Sequence, residues 1–522
     1  MVPEGEGRLP VRRALLSVDN KRDLGSFARG LTGHGIELWA TGGTRTAIEH
    51  DGVPCRAAEE LTGIGAWFGG RIKTLHPGIL GGVLAPRTAV GDRELAEHKL
   101  LRIDLVAVNF YPFEQHVAEH PEATDREEFI DVGGITLARA AAKNHEAVVV
   151  VTDPSEYAQV LDALAKGGGT IDSRLRLELA IAAFDRCTLY DAAIARGLRP
   201  AAESTNPFPE EIRLRRESLQ LRYGENPHQK AATYVPISPP GVAMAPAPFD
   251  VLKGPSLSFT NLLDLDTALA VVGEFPTPTA AVVKHASPIG VASGTTVREA
   301  LEKAVATDPV ARYGCVVATN RPIGAEDPTA LHGVFVDLLA APEFDPAALD
   351  ALAKRPKIKV VRCAPPSLAQ PRWETHSGLG RILIQESDRR ELAPSDFKLV
   401  TSTQATPHEA CSLDFAWRVA RHAKSNAIVL ANGSATMGIG SGQPTRVKAV
   451  ELAIEVAGDR ARGAVLASDA FFPFPDGVEL AGRAGVRAIL QSGGSLRDPE
   501  VIATAERYGI AMYFSGWRVF RH

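Results

Sequence analysis

IELWATGGTRTAIEH (36–50) reads as an apolar strand, a glycine turn and the opening of a helix. Residues 36–40 form the strand, Thr41-Gly42-Gly43-Thr44 the turn, and 45–50 the helix start. Paired glycines let a backbone approach a ligand closely, and exposed N–H groups at a helix N-terminus attract phosphate. A plain tight turn needs the same glycines, so this loop alone suits both readings. The same alternation continues on either side. Residues 14–18, 104–109 and 147–152 read as buried strands, 23–33 as a helix closing on glycine, and 137–142 as an Ala-rich helix. A helical region covers 155–196, with a loop at 167–169, and a Pro/Ala/Ser-rich linker follows at 199–210. Strands spaced by helices predict a parallel α/β sheet.

The rest of the 522-residue chain has another texture. Pro-dense stretches at 234–250 and 365–371 read as loops, because proline removes a donor and breaks both helix and sheet. Apolar strand candidates lie at 280–283, 315–318 and 359–361. A last block, 427–431, 447–457, 464–467 and 487–491, repeats the strand–loop–helix theme. VKH (283–285) and AKS (423–425) both set a lysine beside a β-run, too faint a likeness to predict an internal repeat.

Composition narrows the function classes. The chain is 45% hydrophobic and 23% charged with a formal charge of -5, which asks for neither a nucleic-acid backbone nor an acidic membrane. Five scattered cysteines without a CxxC pair argue against a zinc ribbon and fit a reducing compartment. The N-terminus lacks the apolar core of a signal peptide, and no run approaches the ~20 residues of a membrane helix. A cytoplasmic globular enzyme without a metal is expected.

Several loops carry chemistry. FGGRIKTLHP (68–77) places Arg71, Lys73 and Thr74 after a second Gly-Gly, so a second anion-compatible loop joins the first; a solvated surface pair is the plain alternative for the two cations. NFYPF (109–113) directly follows a strand, where open α/β sheets bind ligands. There Tyr111 suits either a developing oxyanion or an interface. Asp131 and Lys143 flank the Ala-rich helix, and Lys143 equally suits the negative end of the helix dipole. Lys284 and His285 end an apolar strand, where a histidine is more often structural than basic. GIGSGQPTR (438–446) opens a helix without matching the Walker pattern. SDAFFPFPD (468–476) sets three phenylalanines among carboxylates, either clamping a flat heterocycle or pinned to the core.

Together GGRIKTLHP (69–77), NFYPF (109–113), DVGGITLARAAAKNH (131–145), RYGENPHQKA (222–231), VKHASP (283–288), KSNAIV (424–429), GSGQPTRV (440–447), SDAFFPFPDGVELA (468–481) and QSGGSLRD (491–498) closely resemble the bifunctional purine-biosynthesis family that joins AICAR transformylase to IMP cyclohydrolase. The resemblance runs from about residue 13 to 522. It implies a methylglyoxal-synthase-like parallel-sheet domain with a helical linker (1–200) and two cytidine-deaminase-like α/β subdomains (201–380 and 381–522). The chain lacks the HxE and PCxxC pairing of a zinc deaminase. The implied reactions are formyl transfer from 10-formyltetrahydrofolate to AICAR, giving FAICAR, and dehydrative closure to IMP, in an intertwined homodimer with transformylase sites across the interface.

By the same resemblance His285 is the base, Lys284 steadies the formyl oxygen and Asn426 holds the carboxamide. Arg222, Tyr223 and Arg518 match phosphate contacts, and Gly314, Asp337, Arg446 and Phe471 other AICAR contacts. Val447, Asp476, Ser495 and Leu496 match the folate side. For cyclisation, Lys143 matches the proton donor/acceptor, Asp131 sets its protonation, and Tyr111 with Lys73 stabilises the departing oxygen. Nucleotide contacts carry over to Asp19, Asn20, Lys21, Thr41, Gly42, Gly43, Thr44, Arg71, Ile72, Thr74, Val108, Asn109 and Val132. The chain departs from the family's usual residues at Ser287, Ile289 and Ser492, behind the Lys284-His285 pair and beside the folate-side glycines. Two other readings compete: a cyclohydrolase whose C-terminal half only dimerises, and a catalytically silent nucleotide-binding homologue.

Overall fold

Arg13–Ser17 (β1), Glu37–Ala40 (β2), Arg56–Ala57 (β3), Leu105–Val108 (β4) and Val149–Val151 (β5) pair in the order β3-β2-β1-β4-β5, every pairing parallel. The computed structural model describes residues 7–522 except 66, 69–71, 121–124, 199–207, 209–211, 237–248, 367–371, 389, 391 and 392. The chain divides into two units, Met1–Phe208 and Pro209–His522. In the first, Leu24–Gly33 (α1), Gly42–His50 (α2), Gly133–Lys143 (α3), Tyr157–Lys166 (α4) and Ser173–Leu198 (α5) supply the helices that matter here. Leu15, Trp39, Val106 and Val150 from the strands meet Phe27, Leu137 and Leu179 in one core. The apolar runs predicted as strands are the buried ones, as a sheet covered on both faces requires.

In the second unit, twelve described strands form one mixed sheet. Its members are Phe249–Lys253 (β6), Thr279–Lys284 (β7), Ser287–Ser293 (β8), Cys315–Thr319 (β9), Val336–Ala341 (β10), Lys359–Cys363 (β11), Lys398–Leu399 (β12), Ile428–Asn432 (β13), Ala435–Gly440 (β14), Val465–Ser468 (β15), Ala488–Gln491 (β16) and Ala511–Phe514 (β17). Their order is β6-β11-β10-β9-β7-β8-β14-β13-β15-β16-β17-β12. Phe259–Gly273 (α6) precedes β7, and Pro407–Ala420 (α7) precedes β13. From each helix the chain runs through an antiparallel strand pair and then three mutually parallel strands. The two halves therefore share one topology and meet where Ala292 faces Ala435. The duplication that the sequence hid is plain in the fold. One core cluster, with Val283, Val361, Trp417 and Leu490, underlies both halves on one face. Each half has its own cluster on the other face.

The stretch 234–250, read as loop throughout, carries strand at both ends, at Tyr234–Pro236 and at the start of β6. Most of 199–210 and of 365–371 lies outside the described residues.

Candidate functional sites

Parallel strands deliver every loop that follows them to one edge, and the first unit gathers its polar residues there. Ser17 and Val18 leave β1, Thr41 leaves β2, and Val108 and Asn109 leave β4. Asn109 ties two of these loops together: its Oδ1 accepts the N–H groups of Asp19 (2.6 Å) and Asn20 (2.9 Å), and its Nδ2 donates to Asn20 O (3.0 Å). Lys21 Nζ donates to Asp19 O (3.1 Å). The Thr44 hydroxyl sits between Val18 N and Val18 O, at 3.0 Å from each. Thr41 precedes α2 but spends its hydroxyl on Ser17 (3.0 Å), so no side chain caps the helix. A Cβ added at Gly42 or Gly43 would meet nothing within 4 Å. An uncapped helix start with open space over its glycines suits a phosphate.

Asp131 sits just before α3. Its Oδ1 accepts Gly134 N–H (2.6 Å), the Tyr111 N–H also bonds its carboxylate, and its own N–H donates to Tyr190 OH (2.9 Å). Burial pushes the Asp131 carboxyl up and neighbouring Asp19 adds to this, against the two backbone N–H groups that pull it down. The Tyr111 hydroxyl is likewise raised, by burial first and then by Asp131 and Asp19. Thr74 is buried against the start of α3, since a Cβ at Gly133 would lie 2.8 Å from its Oγ1. Lys73 beside it is exposed. Ile72 closes a small β-bridge with Trp67, and Val132 is exposed on the same edge as Asp131. Arg71 lies outside the described residues.

Lys143 is not part of this group. It is the last residue of α3, whose eleven residues separate it from Asp131 by about 16 Å at 1.5 Å per residue. Helices between parallel strands run antiparallel to them, so Lys143 stands at the amino edge of the sheet. Within this chain Asp131 cannot set its protonation.

A raised carboxyl carries a stability signature. A group whose folded pKa exceeds its unfolded one favours the fold at low pH and loses that contribution as pH rises through the raised value. Asp131→Asn is therefore expected to raise the melting temperature at pH 7.5, with the gain vanishing near pH 4. Thermal melts at the two pH values check it, and a gain independent of pH would contradict it.

In the second unit β7 ends at Lys284 and β8 begins at Ser287, with Lys284 paired to Ser287 across the turn. The two turn residues, His285 and Ala286, have φ of 56° and 53°. That is the left-handed geometry a two-residue hairpin favours, normally occupied by Asn-Gly. With side chains it costs roughly 1–2 kcal/mol per residue. Ala286 N–H donates to Asp264 Oδ1 of α6 (2.6 Å). Lys284 Nζ reaches Tyr313 O (3.0 Å) and Ala311 O (3.4 Å), beside Gly314 at φ 74°. Asp337, at the start of β10, accepts from Asn261 Nδ2 and from the buried Lys359 Nζ, both at 2.7 Å. Arg222 and Tyr223 are held near the N-terminus of α6 by Arg222 N to Leu257 O (2.8 Å) and Phe259 N to Tyr223 O (3.1 Å).

A second polar group lies on the same sheet edge, where β13 begins and β15 ends. Arg446, nearly fully buried, donates to Ser468 Oγ (2.7 Å), to Asp469 Oδ1 and to Asn426 Oδ1 (2.8 Å). Asn426 Nδ2 donates to Gln443 O (2.9 Å), leaving one lone pair on its own oxygen free of these partners. Val519 N bonds Asp469 O (2.8 Å), which brings Arg518 alongside. Phe472 pins the 468–476 loop to the core, whereas Phe471 and Phe474 are exposed. Asp469 is fully buried against Arg446 and is no clamp for a ligand. Val447 follows Arg446 in its helix, Asp476 opens Asp476–Ala484, and Ser495 with the fully exposed Leu496 follows β16. Three strand steps separate β7 from β13, about 14 Å at ~4.8 Å each. The two groups share an edge of one chain without touching. A groove of about 790 Å³, lined by Glu217, Asp250 and Ser256 among others, contains none of these residues.

Sequence reasoning missed Tyr190, Asn261, Asp264 and Lys359. Only α6 gave a hint, with Asn261 and Asp264 one turn apart and Asn261 buried.

A family model described as "AICARFT/IMPCHase bienzyme" matches residues 141–456, and one described as "MGS-like domain" matches 23–136. A protein named "Bifunctional purine biosynthesis protein PurH" from Halalkalibacterium halodurans is 44% identical over 517 residues, 98% of this chain and 100% of the relative. The chain belongs to the AICARFT/IMPCHase bienzyme family. A relative of the same name from Rhodospirillum rubrum is 43% identical over 98% of this chain and 99% of its own. A solved structure titled "Crystal structure of ForH" covers 36% of this chain and 98% of its own, at 36% identity and a TM-score of 0.33. This bienzyme is thus a bifunctional enzyme of purine biosynthesis, an AICAR transformylase and IMP cyclohydrolase, with an MGS-like domain at its N-terminus. Among the described residues no helix is long and apolar enough to cross a membrane, and no cluster of three or more His, Cys, Asp or Glu could hold a metal.

Proposed function

We propose that His285, with Lys284, performs formyl transfer and that Asp131, with Tyr111 and Lys73, performs ring closure. The observation that carries the first half is the strained turn. Two left-handed non-glycine residues persist only where the surroundings hold them, and such strain clusters at active sites. The AICAR amine is a poor nucleophile, its lone pair delocalised into the imidazole and carboxamide. As it attacks the formyl carbon of 10-formyltetrahydrofolate, His285 takes its proton. Lys284, with one N–H beyond its two carbonyl bonds, steadies the oxyanion. As that collapses, the C–N10 bond breaks and N10 takes up the proton His285 holds, so that tetrahydrofolate leaves neutral. Arg222, Tyr223 and Arg518 hold the phosphate of AICAR. Gly314, Asp337, Arg446 and Phe471 contact the rest of it. Val447, Asp476, Ser495 and Leu496 line the folate side. Asn426 offers its remaining lone pair to the substrate.

In closure the carboxamide nitrogen of FAICAR attacks its own formyl carbon, and one water departs. Sharing one molecule gives the reacting groups high effective molarity. Asp131 moves the proton, its raised carboxyl matching that task, while Tyr111 and Lys73 steady the oxygen. The α2 N-terminus receives the phosphate.

The polar groups around His285 and Asn426 stand about three strands apart, which supports a homodimer that brings such halves together. The deaminase-like character of the two halves, with boundaries near 200 and 380, and a cytoplasmic setting complete the reading.

One assay separates it from its competitors. Supplied with AICAR and formyl donor, the protein is expected to form IMP, and likewise from FAICAR alone. Turnover only from FAICAR would mean a lone cyclohydrolase, and binding without turnover a silent homologue.

A further inference from the structure

The turn that carries His285 is not self-supporting. In a two-residue hairpin the closing pair, Lys284 and Ser287, uses the ladder hydrogen bonds, so the N–H of the second turn residue has no partner within the hairpin. That N–H belongs to Ala286, and it donates to Asp264 Oδ1 at 2.6 Å, a contact arriving from α6, 22 residues earlier in the chain. No glycine relieves the left-handed geometry of either turn residue. One helical turn before Asp264, Asn261 holds Asp337 (2.7 Å), which in turn accepts from Lys359 (2.7 Å). One face of α6 therefore braces both the turn and the carboxylate beside it. Asp264 is partly buried, and His285, Asp337 and Lys284 all act electrostatically on it.

We infer that Asp264 is the positioning residue for His285: its carboxylate oxygen anchors Ala286 N–H and so fixes the direction in which the imidazole leaves the turn. This rests on His285 being the base of formyl transfer. Asp264 has no role in proton transfer itself. Its contribution is geometric, and a displacement of about 1 Å at the reacting group can cost 10²-fold in rate.

The test compares Asp264→Ala, Asp264→Asn and His285→Ala in the full chain, measuring kcat and KM for AICAR in formyl transfer and, on the same preparations, turnover of FAICAR. Asp264→Ala is expected to lower the transfer kcat by about 100-fold, with KM for AICAR changed less than about threefold and FAICAR turnover retained. Asp264→Asn keeps an acceptor oxygen and is expected to recover most of the lost rate. Wild-type kcat in Asp264→Ala, or an unchanged kcat with a raised KM, would overturn the positioning role while His285→Ala still abolishes transfer. Equal impairment in the Ala and Asn variants, with FAICAR turnover intact, would also overturn it, because the anchoring oxygen would not be what matters. Full transfer in His285→Ala would overturn both this role and the assignment of the base. Should Asp264→Ala fail to fold, the Asn variant decides alone: near-wild-type kcat supports the anchor, and a 100-fold loss refutes it.

Discussion

His285→Ala is expected to lower formyl transfer to AICAR by about 10²–10⁴-fold, the range general-base catalysis supplies, while IMP formation from FAICAR stays within about twofold of wild type. The loss is large because the AICAR amine needs its proton removed as the C–N bond forms, and the turn offers no second base of comparable placement. Asp264 is committed to Ala286 N–H, and Lys284 points at carbonyls. Cyclisation is expected to be spared because the residues proposed for it belong to the other unit of the chain. Initial rates with each substrate on one preparation check this. A parallel fall of both activities in a folded protein would contradict it.

Asp131→Ala is expected to give the opposite pattern. Supplied with AICAR and formyl donor, the variant accumulates FAICAR and makes IMP slower by about 10²-fold or more. Asp131 combines burial, an acidic neighbour and fixed backbone N–H partners. Those features hold the carboxyl above its ordinary value, the direction that suits a group passing protons in a site. Residual closure persists, because the carboxamide and the formyl group share one molecule and the bound geometry alone contributes. Following FAICAR and IMP separately by chromatography checks the expectation, and wild-type IMP formation would remove Asp131 from the mechanism.

Much of this was legible in the chain, for identifiable reasons. The strands β1, β2, β4 and β5 are apolar runs bounded by polar turns and buried on both faces, so hydrophobicity alone marks them. The glycines of Thr41-Gly42-Gly43-Thr44 marked the passage from β2 into α2, although Gly42 to Thr44 form the first turn of the helix rather than a turn before it. The missing cap depends on Ser17, 24 residues away. Strand β8 escaped notice because Pro288 lies within it. The sheet tolerates that proline at a register shift opposite Val283, where the ladder is already broken. The hairpin it forms was hidden too, since His-Ala occupies positions where Asn-Gly is the usual signal. The separation of Lys143 from Asp131 was not legible as spacing: Asp131 stands just before α3 and Lys143 is its last residue, so the length of the helix lies between them. The contacts from Asp264 and Tyr190 cross long stretches of chain, and no local pattern announces them.

The most direct test of the two-site reading is a crystal structure of the wild-type protein soaked with AICAR. The expected density places the AICAR amine within about 3.2 Å of a His285 ring nitrogen, at the turn between β7 and β8. AICAR bound elsewhere, with the His285 ring turned away from it, would contradict the assignment of the base.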